Sequence, residues 1–189
     1  MMIPFRVKLL TETAKAPEKA NEGDLWDLFA DSYEHPKDIY IIDNTDINIF
    51  WSINILPKGR ILVKTGIAIE LSVRRIIDDW CFSDDSDRLD FEKNYGANKI
   101  QAYAVADIRP RSGLALKNGI TVLNAPGTID NSYRKEIGVI LYNAGHEPYT
   151  IKKGDKIAQM LIRPLYPSSF KIVEDFEDTR RGGYGSTGY

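Results

Sequence analysis

Asp46-Ile47-Asn48-Ile49-Phe50-Trp51-Ser52-Ile53-Asn54-Ile55 places Ile47, Ile49, Trp51, Ile53 and Ile55 on one face of an extended chain. A period of two is the signature of a half-buried β-strand. Pro57-Lys58-Gly59 closes the stretch with a turn. Strand patterning resumes over 60–71, with Gly66 inside it at an expected bulge. Working outward, further strands are predicted over 5–10, 100–109, 119–124, 136–143, 156–164 and 169–174. Turn residues separate most of them: Arg111-Ser112-Gly113, Asn143-Ala144-Gly145 and Lys153-Gly154-Asp155. Many short strands at this spacing predict an all-β chain, a single-domain jelly-roll-like β-barrel.

Two stretches break the pattern and read as insertions on the β scaffold. One, about 31–45, is polar and turn-rich. The other, about 72–96, is a helix from Val73 to Trp80 followed by a loop with Asp84, Asp85, Asp87, Asp90 and Glu92. That loop lacks the glycine and the terminal glutamate spacing of a calcium site. The barrel is expected over 1–178, and the glycine-rich residues 179–189 form a flexible C-terminal arm.

Composition bounds the function. A chain of 189 residues, 43% hydrophobic and 28% charged, can build one globular core. A net charge of −2 argues against direct nucleic-acid binding, which favours a strongly basic face. Apolar runs are too short to span a bilayer. Cys81 is the single cysteine, so no internal disulfide forms, and a reducing cytoplasm is the expected location.

The chemistry concentrates in a few clusters. Leu123-Asn124-Ala125-Pro126-Gly127-Thr128-Ile129-Asp130-Asn131-Ser132-Tyr133 presents a carboxylate and, three residues later, an aromatic ring from a tight backbone. That pairing suits activation of a water beside a sugar or base. Pro110-Arg111-Ser112-Gly113 offers a guanidinium and a hydroxyl before a glycine, a phosphate-holding combination or a turn with a surface arginine. Gln159 is a lone amide among Ile157, Ala158, Met160 and Leu161, a ligand contact or the outward face of a strand. Asp27, between Trp26 and Leu28, is a candidate metal or water contact or a turn aspartate. Gly182-Gly183-Tyr184-Gly185-Ser186-Thr187-Gly188 could wrap a polyphosphate with Tyr184 on a base, or be a plain low-complexity tail.

These segments together resemble the trimeric deoxyuridine triphosphatases (dUTPases). The resemblance is carried by Trp26 to Ala30, Arg109 to Ala115, Ile120 to Tyr133 with Glu136-Ile137, Gly154 to Gln159, and Arg181 to Gly188. It implies hydrolysis of dUTP to dUMP and pyrophosphate, with Asp130 as the base that activates water for attack on the α-phosphorus. By the same resemblance, Tyr133 packs on the deoxyribose, and Asn124 reads the uracil edge with the backbone around it, Gly127 and Ile129 included. Arg111, Ser112, Gly113 and Gln159 hold the phosphates. Arg181, Tyr184, Gly185, Ser186 and Thr187 close over the nucleotide. Mg2+ is implied as cofactor, mainly on the phosphates, with Asp27 acting on it through water. A homotrimer with sites shared between subunits is implied too. The chain departs from the family at Asp24-Leu25-Trp26, Lys135 and Tyr184, and in both insertions.

Two other readings stay open. The inserted segment, with Trp80-Cys81-Phe82, is a candidate surface for a protein partner, which would make the chain a nucleotide-responsive regulatory protein. A deoxycytidine triphosphate deaminase-like cousin on the same scaffold is the other. A zinc deaminase is excluded, since His35, His146 and one cysteine cannot build its site.

Overall fold

A computed structural model describes residues 3–34, 51–71, 74–75, 101–166, 168, 170 and 172–175. Thirteen strands occur among them. They are β1 (Phe5–Leu9), β2 (Trp26–Phe29), β3 (Ser32–Glu34), β4 (Ser52–Ile55), β5 (Arg60–Lys64), β6 (Ile67–Leu71), β7 (Arg74–Arg75), β8 (Gln101–Arg109), β9 (Ile120–Val122), β10 (Gly127–Ile129), β11 (Gly138–Asn143), β12 (Tyr149–Lys152) and β13 (Lys156–Leu165). One short helix, α1 (Ser112–Asn118), joins β8 to β9.

The main sheet runs β10-β8-β13-β2, with β7 added on β8; a second runs β3-β5-β11-β9. Two two-stranded sheets, β1-β6 and β12-β4, each joining strands distant in sequence, complete the described set, and every pairing is antiparallel. The all-β, jelly-roll-like expectation holds. Among the described residues the strands form separate sheets and not one closed barrel.

Period-two alternation explains the packing. Ile61 and Val63 of β5 and Val139 and Leu141 of β11 point into the same core as Ala104, Ala106 and Ile108 of β8 and Met160 of β13. Trp51, Ile53 and Ile55 are buried as the opening stretch predicts. Each fully buried aliphatic side chain contributes about 1.5–3 kcal/mol of transfer free energy. The opposite face of the main sheet is not simply wet. There Asp107 is buried, accepting hydrogen bonds from Arg163 Nε (2.7 Å) and Thr128 Oγ1 (2.8 Å).

Several boundaries differ from the sequence reading. The strand read over 60–71 is two strands, because Gly66 takes a left-handed φ of 67° and turns the chain. A side chain there would also sit 2.8 Å from Asp31 Oδ2. The insertion read from residue 31 begins later, since Ser32–Glu34 pair with β5. Arg74 and Arg75, read as helix, form a strand against Ala102 and Gln101, whose neighbouring backbone offers ladder partners. Most of that insertion, Trp80-Cys81-Phe82 included, lies outside the described residues, as do 35–50. No strand forms over 172–174, where Ile172 is exposed. Four short strands, β2, β3, β10 and β12, were not expected, being too short to show alternation. The turn read at Arg111-Ser112-Gly113 opens α1 instead, which Gly119 ends in a left-handed cap (φ 71°). No helix among the described residues is long and apolar enough to cross a membrane.

Candidate active site

Asp27 is the hub of one side of the main sheet. It sits on β2, buried to 5% exposure, and pairs across the ladder with Gln159 of β13. Its Oδ1 accepts from Gln159 Nε2 at 3.2 Å and lies 3.5 Å from Arg111 Nη1. Its Oδ2 accepts from Lys156 Nζ at 2.8 Å. A buried carboxylate needs such partners, because burial alone pushes its pKa up. Here burial is the largest single influence, yet Lys156, Gln159 and Arg111 together outweigh it and hold the Asp27 carboxyl below the ordinary range. Arg111 reaches Asp27 because Arg109, Gln159 and Asp27 stand in one row across β8, β13 and β2, and Arg111 follows Arg109 by two residues as the N-cap of α1. Ser112 and Gly113 follow it on the exposed first turn of α1.

The structure therefore brings together Asp27, Arg111 and Gln159, with Ser112 and Gly113 adjacent. It adds Lys156, which the sequence reading passed over. The signal for it was weak, because a lysine at a strand start normally reads as a solvated turn residue.

The second group lies at the opposite edge. β10 ends at Ile129, which packs against the core, and Asp130 follows, exposed. The turn after it is tightly held. Asp130 O accepts from Tyr133 N at 3.0 Å, and Tyr133 Oη donates to Glu136 O at 2.8 Å. Asn131 Nδ2 donates to Ala104 O (3.2 Å) and Leu71 O (3.3 Å), pinning the turn to the sheet, a role its sequence position did not reveal. Glu136 accepts from Gly66 N at 2.9 Å. Upstream, a side chain at Gly127 would meet the Asn124 amide at 3.2 Å, a tight approach that the amide would have to yield to. Arg181, Tyr184, Gly185, Ser186 and Thr187 lie outside the described residues.

The two groups do not meet within one chain. In the order β10-β8-β13-β2, the strand bearing Asp130 is three places from the strand bearing Asp27. At one strand spacing each, that is about 14 Å across the sheet before any offset along it. No ligand metal cage stands in either group: among the described residues no three His, Cys, Asp or Glu side chains gather.

The all-β scaffold gathers a guanidinium, an ammonium and an amide around one buried carboxylate, groups of the kind that hold phosphate oxygens. The comparisons narrow the class. The dUTPase family model matches residues 96–188. The deoxyuridine 5'-triphosphate nucleotidohydrolase of Alkaliphilus metalliredigens is 38% identical over 189 residues, covering 99% of each chain. That of Ehrlichia canis is 64% identical over 87 residues, 44% of this chain and 57% of the relative. A dUTPase of Staphylococcus bacteriophage 80alpha superposes with a TM-score of 0.64 at 21% identity, covering 98% of this chain and 99% of the other. The chain belongs to the dUTPase family.

Proposed function

We propose that this chain hydrolyses dUTP to dUMP and pyrophosphate in a site assembled from more than one subunit. The observation that carries the reading is the division of the site into two halves at opposite edges of one sheet. The half around Asp27 holds two cations and an amide, suited to phosphate oxygens. The half around Asp130 holds an exposed carboxylate and the Tyr133 ring, suited to a water and a sugar. A head-to-tail ring of subunits brings one edge of a subunit against the other edge of its neighbour, and a homotrimer built this way does so three times.

In this reading Asp130 takes a proton from water as the water oxygen bonds to the α-phosphorus. The bond from the α-phosphorus to the bridging oxygen breaks, and pyrophosphate leaves. Tyr133 stacks on the deoxyribose and leaves no room for a 2′-hydroxyl, while Asn124, Gly127 and Ile129 shape the hairpin that reads uracil. Arg111, Ser112, Gly113 and Gln159 hold the phosphates. The arm over 179–189, with Arg181, Tyr184, Gly185, Ser186 and Thr187, closes over the bound nucleotide and excludes water other than the nucleophile.

Mg2+ would fit as an ion carried by the triphosphate. Both Asp27 oxygens are already engaged by nitrogen donors, so the carboxylate would reach such an ion through water. Magnesium commonly keeps its waters and takes few protein ligands, and on the phosphates it supplies charge neutralisation. A phage dUTPase of the same fold is described with a structural Mg(II) ion. A cytoplasmic location fits the single cysteine.

The test is pyrophosphate release from dUTP, dCTP, dTTP and UTP by the wild type and by Asp130→Asn. Turnover of dUTP alone, lowered about 10²- to 10⁴-fold in the variant with unchanged melting, is the expected result. Near-wild-type turnover by Asp130→Asn removes the base assignment.

A further inference from the structure

We propose that Lys156 is a phosphate-positioning residue of the Asp27 half-site, placed there by a β-bulge. The register of β13 on β2 runs Met160 opposite Trp26, Gln159 opposite Asp27 and Ala158 opposite Leu28, then shifts so that Lys156 stands opposite Phe29. One residue of β13, Ile157, is extra. In an unbroken ladder Ile157 would face Phe29, on the same side as Asp27 and Gln159, and Lys156 would alternate to the core side. The bulge reverses both. Ile157 is buried at 2% exposure in the core, and the Lys156 ammonium stands 2.8 Å from Asp27 Oδ2 and 5.6 Å from the Phe29 ring centroid. Bulges beside functional sites commonly re-aim a side chain in this way. Burying either an uncompensated lysine in the core or Ile157 in the site would be unfavourable, so the bulge suits both faces at once.

The charge around this ammonium exceeds what Asp27 needs. Lys156 and Arg111 bring two positive charges to one buried carboxylate, and the Lys15 Nζ adds a third nearby, 5.2 Å from the centroid of the same Phe29 ring that Lys156 approaches. An ammonium has three donors, and Asp27 uses one. The Lys156 side chain keeps 39% of its surface exposed, which leaves a ligand room to approach it. Lys156 bridges: it holds Asp27 and, without leaving it, donates to a phosphate oxygen of the ligand. This deepens the phosphate-holding reading of the half-site and rests on it. The narrower alternative is that Lys156 does no more than neutralise Asp27.

A double-mutant cycle on the full chain separates the two, read by calorimetric binding of inorganic tripolyphosphate. Lys156→Met is made in the wild type and in an Asp27→Asn background, where no carboxylate is left unpaired and folding is protected. Bridging predicts that Lys156→Met weakens tripolyphosphate binding about ten- to hundredfold in both backgrounds, the range for one hydrogen bond to a charged group. It also predicts a shallower salt dependence of binding in both. Loss confined to the background that retains Asp27, or no loss in either, overturns the proposal. Tripolyphosphate carries no base or sugar. A Lys156-dependent affinity for it, in a protein that does not turn over dUTP, would retire the activity assignment and keep this one.

Discussion

Replacing Asp27 by asparagine keeps the shape of the hub and removes its charge. Three donors then face a neutral amide that can accept on one atom only. Hydrogen bonds to charged groups are worth about 1.5–3 kcal/mol each, and a neutral oxygen keeps part of that. The lysine and arginine partners are 39% and 29% exposed, so solvent screens them and the low end applies. The expected loss of stability is about 1.5–2 kcal/mol, or about 3–8 °C in melting temperature for a chain of this size. If the same misorientation of Arg111 and Gln159 reaches the transition state, kcat/KM for dUTP falls about ten- to thirtyfold, at 1.4 kcal/mol per decade. A pH series sharpens the test. Asp27 titrates below the ordinary carboxylate value, so its contribution is fully present above about pH 4 and is lost as pH falls through the lower folded value. The gap in urea midpoint between wild type and Asp27→Asn is therefore constant from about pH 8 to pH 5 and closes in the acid limb. A gap that stays constant through the acid limb, or a variant equal to wild type in both midpoint and kcat/KM, refutes the hub.

Two further variants test other parts of the account. Gly66→Ala forces a left-handed backbone on a residue with a Cβ and drives that Cβ within 2.7 Å of Ala14 Cβ. A loss of about 2–4 kcal/mol in denaturant unfolding is expected, and a loss under 1 kcal/mol would show that the turn relaxes easily. Tyr133→Ala removes the ring proposed to stack on the sugar, so the ratio of kcat/KM for dUTP over UTP should fall at least tenfold; an unchanged ratio places sugar discrimination elsewhere.

Much of the core was legible because alternation is a local signal. Ile53 with Ile55, Ile61 with Val63, and Val139 with Leu141 each announce their own inward face. What was not legible depends on partners distant in sequence. The face on which Lys156 stands is set by a bulge against β2, about 130 residues upstream, and strict alternation from Gln159 gives the wrong answer. Arg111 reads in the sequence as a candidate phosphate contact, but its pairing with Asp27 required knowing that β13 lies between β8 and β2, with Arg109, Gln159 and Asp27 in one row. Asn131 looks like a turn residue until Ala104 and Leu71 are seen to offer their carbonyls. The separation of Asp130 from Asp27 is a matter of strand order, which no single stretch of sequence carries.

The claim that each site draws its two halves from different subunits is tested most directly by mixing inactive chains. Asp130→Asn supplies a sound phosphate half, and Arg111→Ala supplies a sound water-activating half. Co-refolded in equal amounts into random trimers, they should recover about one quarter of wild-type dUTP turnover, since each site needs the right chain on both sides of an interface. Turnover that stays at the level of the separate variants, in trimers shown to be mixed, would mean that a single chain holds the whole site.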